Sequence, residues 1–205
     1  MIALVDYGAG NVRSVRKALE AVGAEVRLAV APRDLEGASR IVLPGVGAFG
    51  DCMAALERAG LADALSRVSD EGRPLLGICV GMQVLFEAGE EMGEHAGLGI
   101  LPGRVVRLPP DLPSRGLKVP HTGWNQVERV RDVPLLEGLP EPFWAYFNHA
   151  YVAHAHPEDI LAVTDYGGAF PSVVGRPPVW GVQFHPEKSQ RTGLAILRNF
   201  VQMRV

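Results

Sequence analysis

The segment Leu75-Leu76-Gly77-Ile78-Cys79-Val80-Gly81-Met82-Gln83 is an apolar run that ends on a thiol with glycines close on either side. It reads as a buried strand turning sharply into a helix, a strained turn that small neighbours permit and that lifts one side chain out of the sheet. A thiol presented in this way can attack a carbonyl carbon. The backbone N–H that follows it, that of Val80, points where the oxyanion would form. Taken alone, the segment is equally a packing cysteine, the usual fate of a buried thiol.

A base for such a nucleophile lies near the end of the chain. Val179-Trp180-Gly181-Val182-Gln183-Phe184 alternates as a strand and delivers His185-Pro186-Glu187 at its end. Pro186 stops ladder pairing, and residues two apart on an extended chain point the same way. Glu187 can therefore hydrogen-bond one ring nitrogen of His185 and leave the other free as a base. Nucleophile, base and orienting carboxylate form the triad of thiol hydrolases; the plainer reading of His185 and Glu187 is a solvated turn.

The third constellation is Ile41-Val42-Leu43-Pro44-Gly45-Val46-Gly47-Ala48-Phe49-Gly50. Gly45, Gly47 and Gly50, with Asp70 further on, fit the dinucleotide-binding fingerprint literally. However, Pro44 interrupts the turn, and the match follows the third expected strand instead of the first. The better reading is a loop whose Val46 peptide, flanked by Gly45 and Gly47, rotates cheaply. Such a loop would offer a second oxyanion donor facing Cys79. A non-catalytic nucleotide-binding module using Gly45–Gly50 stays open as the alternative.

These residues need a scaffold that brings residues 45, 79 and 185 together. The first half alternates strands and helices in the manner of a parallel sheet. Strands are expected at 2–5, 26–30, 40–43 and 74–79, with helices from about 12 to 22 and from about 51 to 68, the latter weakened at Gly60. The second half breaks into short strands divided by Pro and Gly, at 97–108, 118–127, 143–151, 160–165, 172–175 and 179–184, which read as antiparallel additions. A helix from 189 to 205 closes the chain, with Leu194, Leu197, Phe200 and Val201 on one face. The stretch 109–116 reads as a mobile loop. The expected fold is α/β: a mostly parallel, doubly wound sheet with helices on both faces and additional antiparallel strands, its sites at the carboxyl ends of the strands.

Composition excludes several classes. At 205 residues one domain spanning 1–205 is expected, since halves would be marginal in size. A net charge of −3 with interspersed signs gives no nucleic-acid stripe. No apolar run reaches the length of a membrane span, and the apolar start meets Asp6 at once, so a cytoplasmic protein is expected. Cys52 and Cys79 read as reduced thiols, Cys52 as a packing residue at a helix start. The histidines show no metal-ligand spacing, and neither a metal nor a cofactor is expected.

Nearly the whole chain resembles the class I, or triad, glutamine amidotransferases. That resemblance rests on Gly77-Ile78-Cys79-Val80-Gly81-Met82-Gln83 with His185-Pro186-Glu187. Within the family it is most similar to the glutaminase subunits of imidazole glycerol phosphate synthases, through five further features. These are Asp6-Tyr7-Gly8-Ala9-Gly10-Asn11, the segment from Pro44 to Gly50, Pro120-His121-Thr122-Gly123-Trp124-Asn125, Tyr146-Phe147-Asn148-His149-Ala150-Tyr151, and Lys188 after the glutamate. The resemblance implies hydrolysis of glutamine at Cys79, with His185 as base and Glu187 as its orienter. Val80, Gly45, Val46 and Gly47 would surround the oxyanion. Gly47, Gln83, Ala150 and Tyr151 would contact glutamine, although Ala150 lacks the hydroxyl more usual there. It also implies a heterodimer with a separate (β/α)8-barrel cyclase that receives the ammonia, with Asn11, His121, Trp124, Asn125, Tyr146 and Lys188 near the interface. A glutaminase or γ-glutamyl hydrolase serving another pathway is the enzymatic alternative.

Overall fold

The computed structural model describes residues 1–203. Four fully buried or near-buried apolar segments make the centre of a sheet: β1 (Ile2–Val5), β3 (Arg40–Gly45), β4 (Leu75–Cys79) and β13 (Val179–Val182), each inaccessible on both faces along most of its length. Continuous burial of this kind is what a parallel sheet covered on both sides demands. With β2 (Val26–Ala29) at the edge, the parallel part runs β2-β1-β3-β4-β13.

Chain direction fixes where the helices go. The step from β1 to β2 passes through α1 (Val12–Ala21) one way across the sheet; the step from β3 to β4 passes through α2 (Phe49–Arg58) and α3 (Leu61–Asp70) the other way. Right-handed crossovers then place α1 and the α2–α3 pair on opposite faces. The last helix, α5 (Gln190–Gln202), packs on α1 and buries Ile196, Leu197 and Phe200. The helix expected over 51–68 is two helices, because Gly60 adopts a left-handed φ of 67° between them. Residues 204 and 205, expected in the last helix, lie outside the described residues.

Beyond β13 the sheet turns antiparallel through β12 (Ala169–Arg176), β11 (Ile160–Asp165), β8 (His121–Arg129) and β9 (Phe143–His149). The β8–β9 pair is joined to β11 through only Ala162↔Arg129 and Val163↔Glu128. A second, four-stranded sheet, β10-β7-β5-β6, was not anticipated: β5 (Phe86–Gly89), β6 (His95–Ala96), β7 (Leu101–Arg107) and β10 (Tyr151–Ala155). The single strand expected over 143–151 therefore breaks at Ala150, and its two halves enter different sheets. The stretch 109–116 is also not the loose loop expected. It holds a 3-10 turn at Leu112–Arg115 whose Leu112 is fully buried against Gly167. Among the described residues no helix is long and apolar enough to cross a membrane.

Candidate active site

The sheet order reverses beside β1, and the parallel strands β1, β3, β4 and β13 all point their carboxyl ends to the same side. That is where doubly wound sheets keep their sites. Register brings the parts together: Gly45 pairs with Cys79, and Val182 pairs with Ile78. The loop after β3 and the histidine after β13 therefore flank the thiol that ends β4.

Cys79 occupies a strained backbone, φ 55° and ψ −115°, between β4 and the single-turn helix α4 (Val80–Gln83). A non-glycine residue in this region is a stored cost that persists at nucleophile turns. The glycines on either side serve close approach. A Cβ on Gly77 would lie 2.5 Å from the Gly81 carbonyl oxygen, and one on Gly81 would collide with the Leu43 carbonyl oxygen. With α4 only four residues long, its dipole at the thiol is small, and the neighbouring side chains carry the electrostatics.

His185 and Glu187 meet as expected, by a different geometry. β13 ends at Val182, and residues 186–188 form a 3-10 turn that folds Glu187 back. Nδ1 of His185 lies 2.9 Å from Oε1 of Glu187, and both side chains are almost wholly buried. Asn11 donates to the same carboxylate oxygen at 3.2 Å, while Oε2 has no partner. Burial works against a charged imidazole, but hydrogen bonding to Cys79 and Glu187, with their charges, outweighs it and raises His185 to about 9. The thiol itself reaches the Asn148 carbonyl at 4.0 Å and receives the Gln183 amide at 3.9 Å. Catalytic contacts are commonly long before substrate tightens them.

Val46, Gly47, Cys79, Val80, Gln83, Glu91, Pro120, Asn148, His149, Ala150, Tyr151, His185 and Lys188 line one pocket. The expected oxyanion and glutamine-contacting residues gather there, except Gly45. Gly45 is corrected from a rotational hinge to a strand residue: it pairs with Cys79, and its missing side chain makes room for the Val80–Gly81 backbone. The left-handed backbone belongs to Gly47, at φ 101°. Tyr7 donates to the Pro44 carbonyl at 3.0 Å and the Cys52 thiol to the Val46 carbonyl at 3.5 Å, so the peptides on either side of Gly45–Val46 are both held. The dinucleotide reading fails on the same loop: the first N–H of α2, at Phe49, already donates to the Glu91 carboxylate at 2.8 Å, and Gly50 packs on the His95 ring. An anion cannot share that helix end.

Glu91 and Gln183 escaped the sequence reading. Glu91 sits beyond the elbow in a hairpin-like stretch with no motif of its own; Gln183 does have a signal, since it precedes His185 by two positions on the expected strand. On the outer face of β8–β9, Trp124 (43 % exposed) pairs across from Tyr146, Trp144 is 50 % exposed, and the Lys188 ammonium stands 5.8 Å over the Tyr146 ring. Asn125 is half-buried. His121, expected at the interface, is 3 % exposed; its Nδ1 faces inward to His149, while its Nε2 faces Asn125. Among the described residues no cluster of acids, cysteines and histidines could hold a metal.

The family profile described as glutamine amidotransferase class-I matches residues 3–203. The chain is 52 % identical over 201 residues to the imidazole glycerol phosphate synthase subunit HisH of Desulfitobacterium hafniense, covering 98 % of this chain and 93 % of that one. It is 54 % identical over 203 residues to the protein of the same name from Symbiobacterium thermophilum, with the same coverage. Among solved structures, a glutamine amidotransferase superposes with a TM-score of 0.77 at 24 % identity, covering 98 % of each chain. PurLQS from Thermotoga maritima superposes at 0.76 and 18 % identity, covering 98 % of this chain and 96 % of that one. At those identities the likeness speaks for the fold.

Proposed function

The chain belongs to the class-I glutamine amidotransferases, and we propose that it is the glutaminase subunit of an imidazole glycerol phosphate synthase, residues 1–205 acting as one domain. It hydrolyses glutamine and passes the ammonia to a (β/α)8-barrel cyclase in histidine biosynthesis. The observation that carries the chemistry is the buried His185–Glu187 pair opening onto the pocket of a strained Cys79.

In the proposed reaction the Cys79 sulfur attacks the side-chain amide carbon of glutamine as its thiol proton passes to His185. The oxyanion is held by the Val80 N–H and by the Val46–Gly47 segment, each such donor being worth about 3 kcal/mol. The C–N bond breaks as His185 gives its proton to the departing ammonia, leaving a glutamyl thioester. Water, deprotonated by His185, then attacks the thioester and restores the thiol with release of glutamate. Glu187 keeps Nδ1 engaged so that Nε2 does the proton transfer. Glu91 supplies a negative charge on the pocket wall that suits the α-ammonium of glutamine, while Gln83 and the Ala150–Tyr151 backbone line the other side.

The exposed Trp124–Trp144–Tyr146 face supports docking of the cyclase close to the base, because the backbone N–H of His185 donates to the Tyr146 carbonyl at 2.9 Å. In this reading the ammonia passes directly to the partner and does not equilibrate with water as ammonium. The test is glutamate release by this chain with and without the barrel subunit and its nucleotide ligand. Wild type is expected to respond to the partner, and Cys79→Ala to lose turnover in both. Full activity without any partner would point to a self-sufficient glutaminase or γ-glutamyl hydrolase, and turnover by Cys79→Ala would defeat the thioester route.

A further inference from the structure

Two buried histidines take no part in the chemistry above, yet their protonation can be read nitrogen by nitrogen. Nδ1 of His149 lies 2.9 Å from the Tyr151 carbonyl oxygen, which can only accept, so Nδ1 carries the proton. Burial first of all, with His121 and His185 adding repulsion against the help of that carbonyl, lowers His149 to about 3. The ring is neutral, and its Nε2 must accept. The atom facing it at 3.0 Å is Nδ1 of His121, which therefore donates.

The far end imposes the same assignment independently. Asn125 has its amide orientation fixed by two backbone groups: Oδ1 accepts from the Gln126 N–H at 2.8 Å and Nδ2 donates to the Asp165 carbonyl at 2.9 Å. Its second Nδ2 hydrogen faces Nε2 of His121 at 3.3 Å, so that nitrogen accepts and the His121 proton must sit on Nδ1. Burial lowers His121 to about 4, which keeps it neutral as well. The ring is held in plane between Tyr166 (centroids 3.9 Å apart) and Phe147 (4.8 Å), both nearly parallel to it.

The chain continues past Tyr151. Its carbonyl also accepts from Gln83 Nε2 at 3.0 Å; that same amide donates to Gln183 Oε1 at 3.0 Å, and Gln183 Nε2 faces the Cys79 sulfur. One end of the series is thus the catalytic thiol and the other an open groove lined by Trp124, Asn125, Asp165 and Tyr166. We propose that Asn125, His121 and His149 form a positioning relay that transmits the state of this outer groove, through the Tyr151 carbonyl and the two glutamines, to Cys79. The proposal rests on the glutaminase reading for its activity readout. No proton moves along the series. Its directional hydrogen bonds leave no ring nitrogen spare, so displacing Asn125 removes the donor that fixes His121 and loosens every acceptor after it.

Two measurements test this. Nitrogen-15 NMR of the histidine rings in the intact wild-type protein is expected to show His121 and His149 neutral and protonated on Nδ1 at pH 7. A proton on Nε2 of either, or a charged ring, overturns the relay whatever the activity. The second test uses Asn125→Ala, His121→Leu and the double variant, scored by glutamine kcat/KM with the barrel partner and by the rate of Cys79 alkylation. Each single change is expected to lower both by about three- to ten-fold, the worth of one buried hydrogen bond. Asn125→Ala is expected to add nothing in the His121→Leu background, and His121→Gln, which keeps an N–H donor, to recover part of the loss. Additive effects would sink the relay while leaving the glutaminase reading standing. A wild type that releases no glutamate with its partner would sink the glutaminase reading and leave the NMR result to judge the relay's geometry.

Discussion

His185 lies buried between a sulfur and a carboxylate, and its charge is the result of burial working against those two neighbours. The ring is raised to about 9 from an ordinary 6.5. A group with a raised folded-state pKa contributes stability that is fully present below its unfolded value and is lost as pH climbs through the folded one. The window is therefore pH 6.5 to about 9, and the loss is on the order of 3 kcal/mol at most. Denaturation of wild type between pH 6 and 9.5 is expected to show this decline, and Glu187→Gln to flatten it; parallel curves would mean that the carboxylate does not hold the imidazolium. That Cys79, His185 and Glu187 come together was readable in the sequence because each stands in a short motif. Glu91 and the pairing of His121 with His149 were not, since those contacts join residues 42 and 28 positions apart and no local pattern marks them.

The elbow that presents Cys79 depends on backbone passing backbone where no side chain fits. Gly81→Ala places a Cβ against the Leu43 carbonyl on β3, and separating β3 from β4 is expected to destabilise the protein by about 3 kcal/mol, at the upper end for overpacking. Thermal melting reads this directly; an unshifted midpoint would show that the elbow has slack. The parallel elements were legible because strands buried on both faces are written as unbroken apolar runs, as in Leu75–Cys79 and Val179–Val182. The second sheet was hidden because β5 follows α4 almost without a break, and because nothing at Ala150 marks a strand changing sheets. Phe143–His149 and Tyr151–Ala155 are each good strand formers, and only tertiary pairing separates them.

For the whole molecule, the unpartnered apolar surface that matters lies where β8 and β9 present Trp124, Trp144 and Tyr146 beside the active site. Exposed tryptophans of this kind are the anchors of interfaces, and truncating one costs about 2 kcal/mol or more. Trp124→Ala is expected to weaken binding to the barrel subunit by roughly thirty-fold by calorimetry, at unchanged thermal stability, since half of the ring is in solvent. Unchanged affinity would place the docking face elsewhere. The sheet order carries a consequence for synthesis. β13 is the last strand made, yet it lies in the middle of the large sheet, between β4 and β12. A nascent chain on the ribosome can form β1 to β4 but must leave the edge of β4 bare, with Cys79 at its end and no base beside it. Only when residues 179–187 emerge and slot into that gap do the thiol and the imidazole share a pocket. Placing the last strand therefore both completes the large sheet and brings His185 to Cys79.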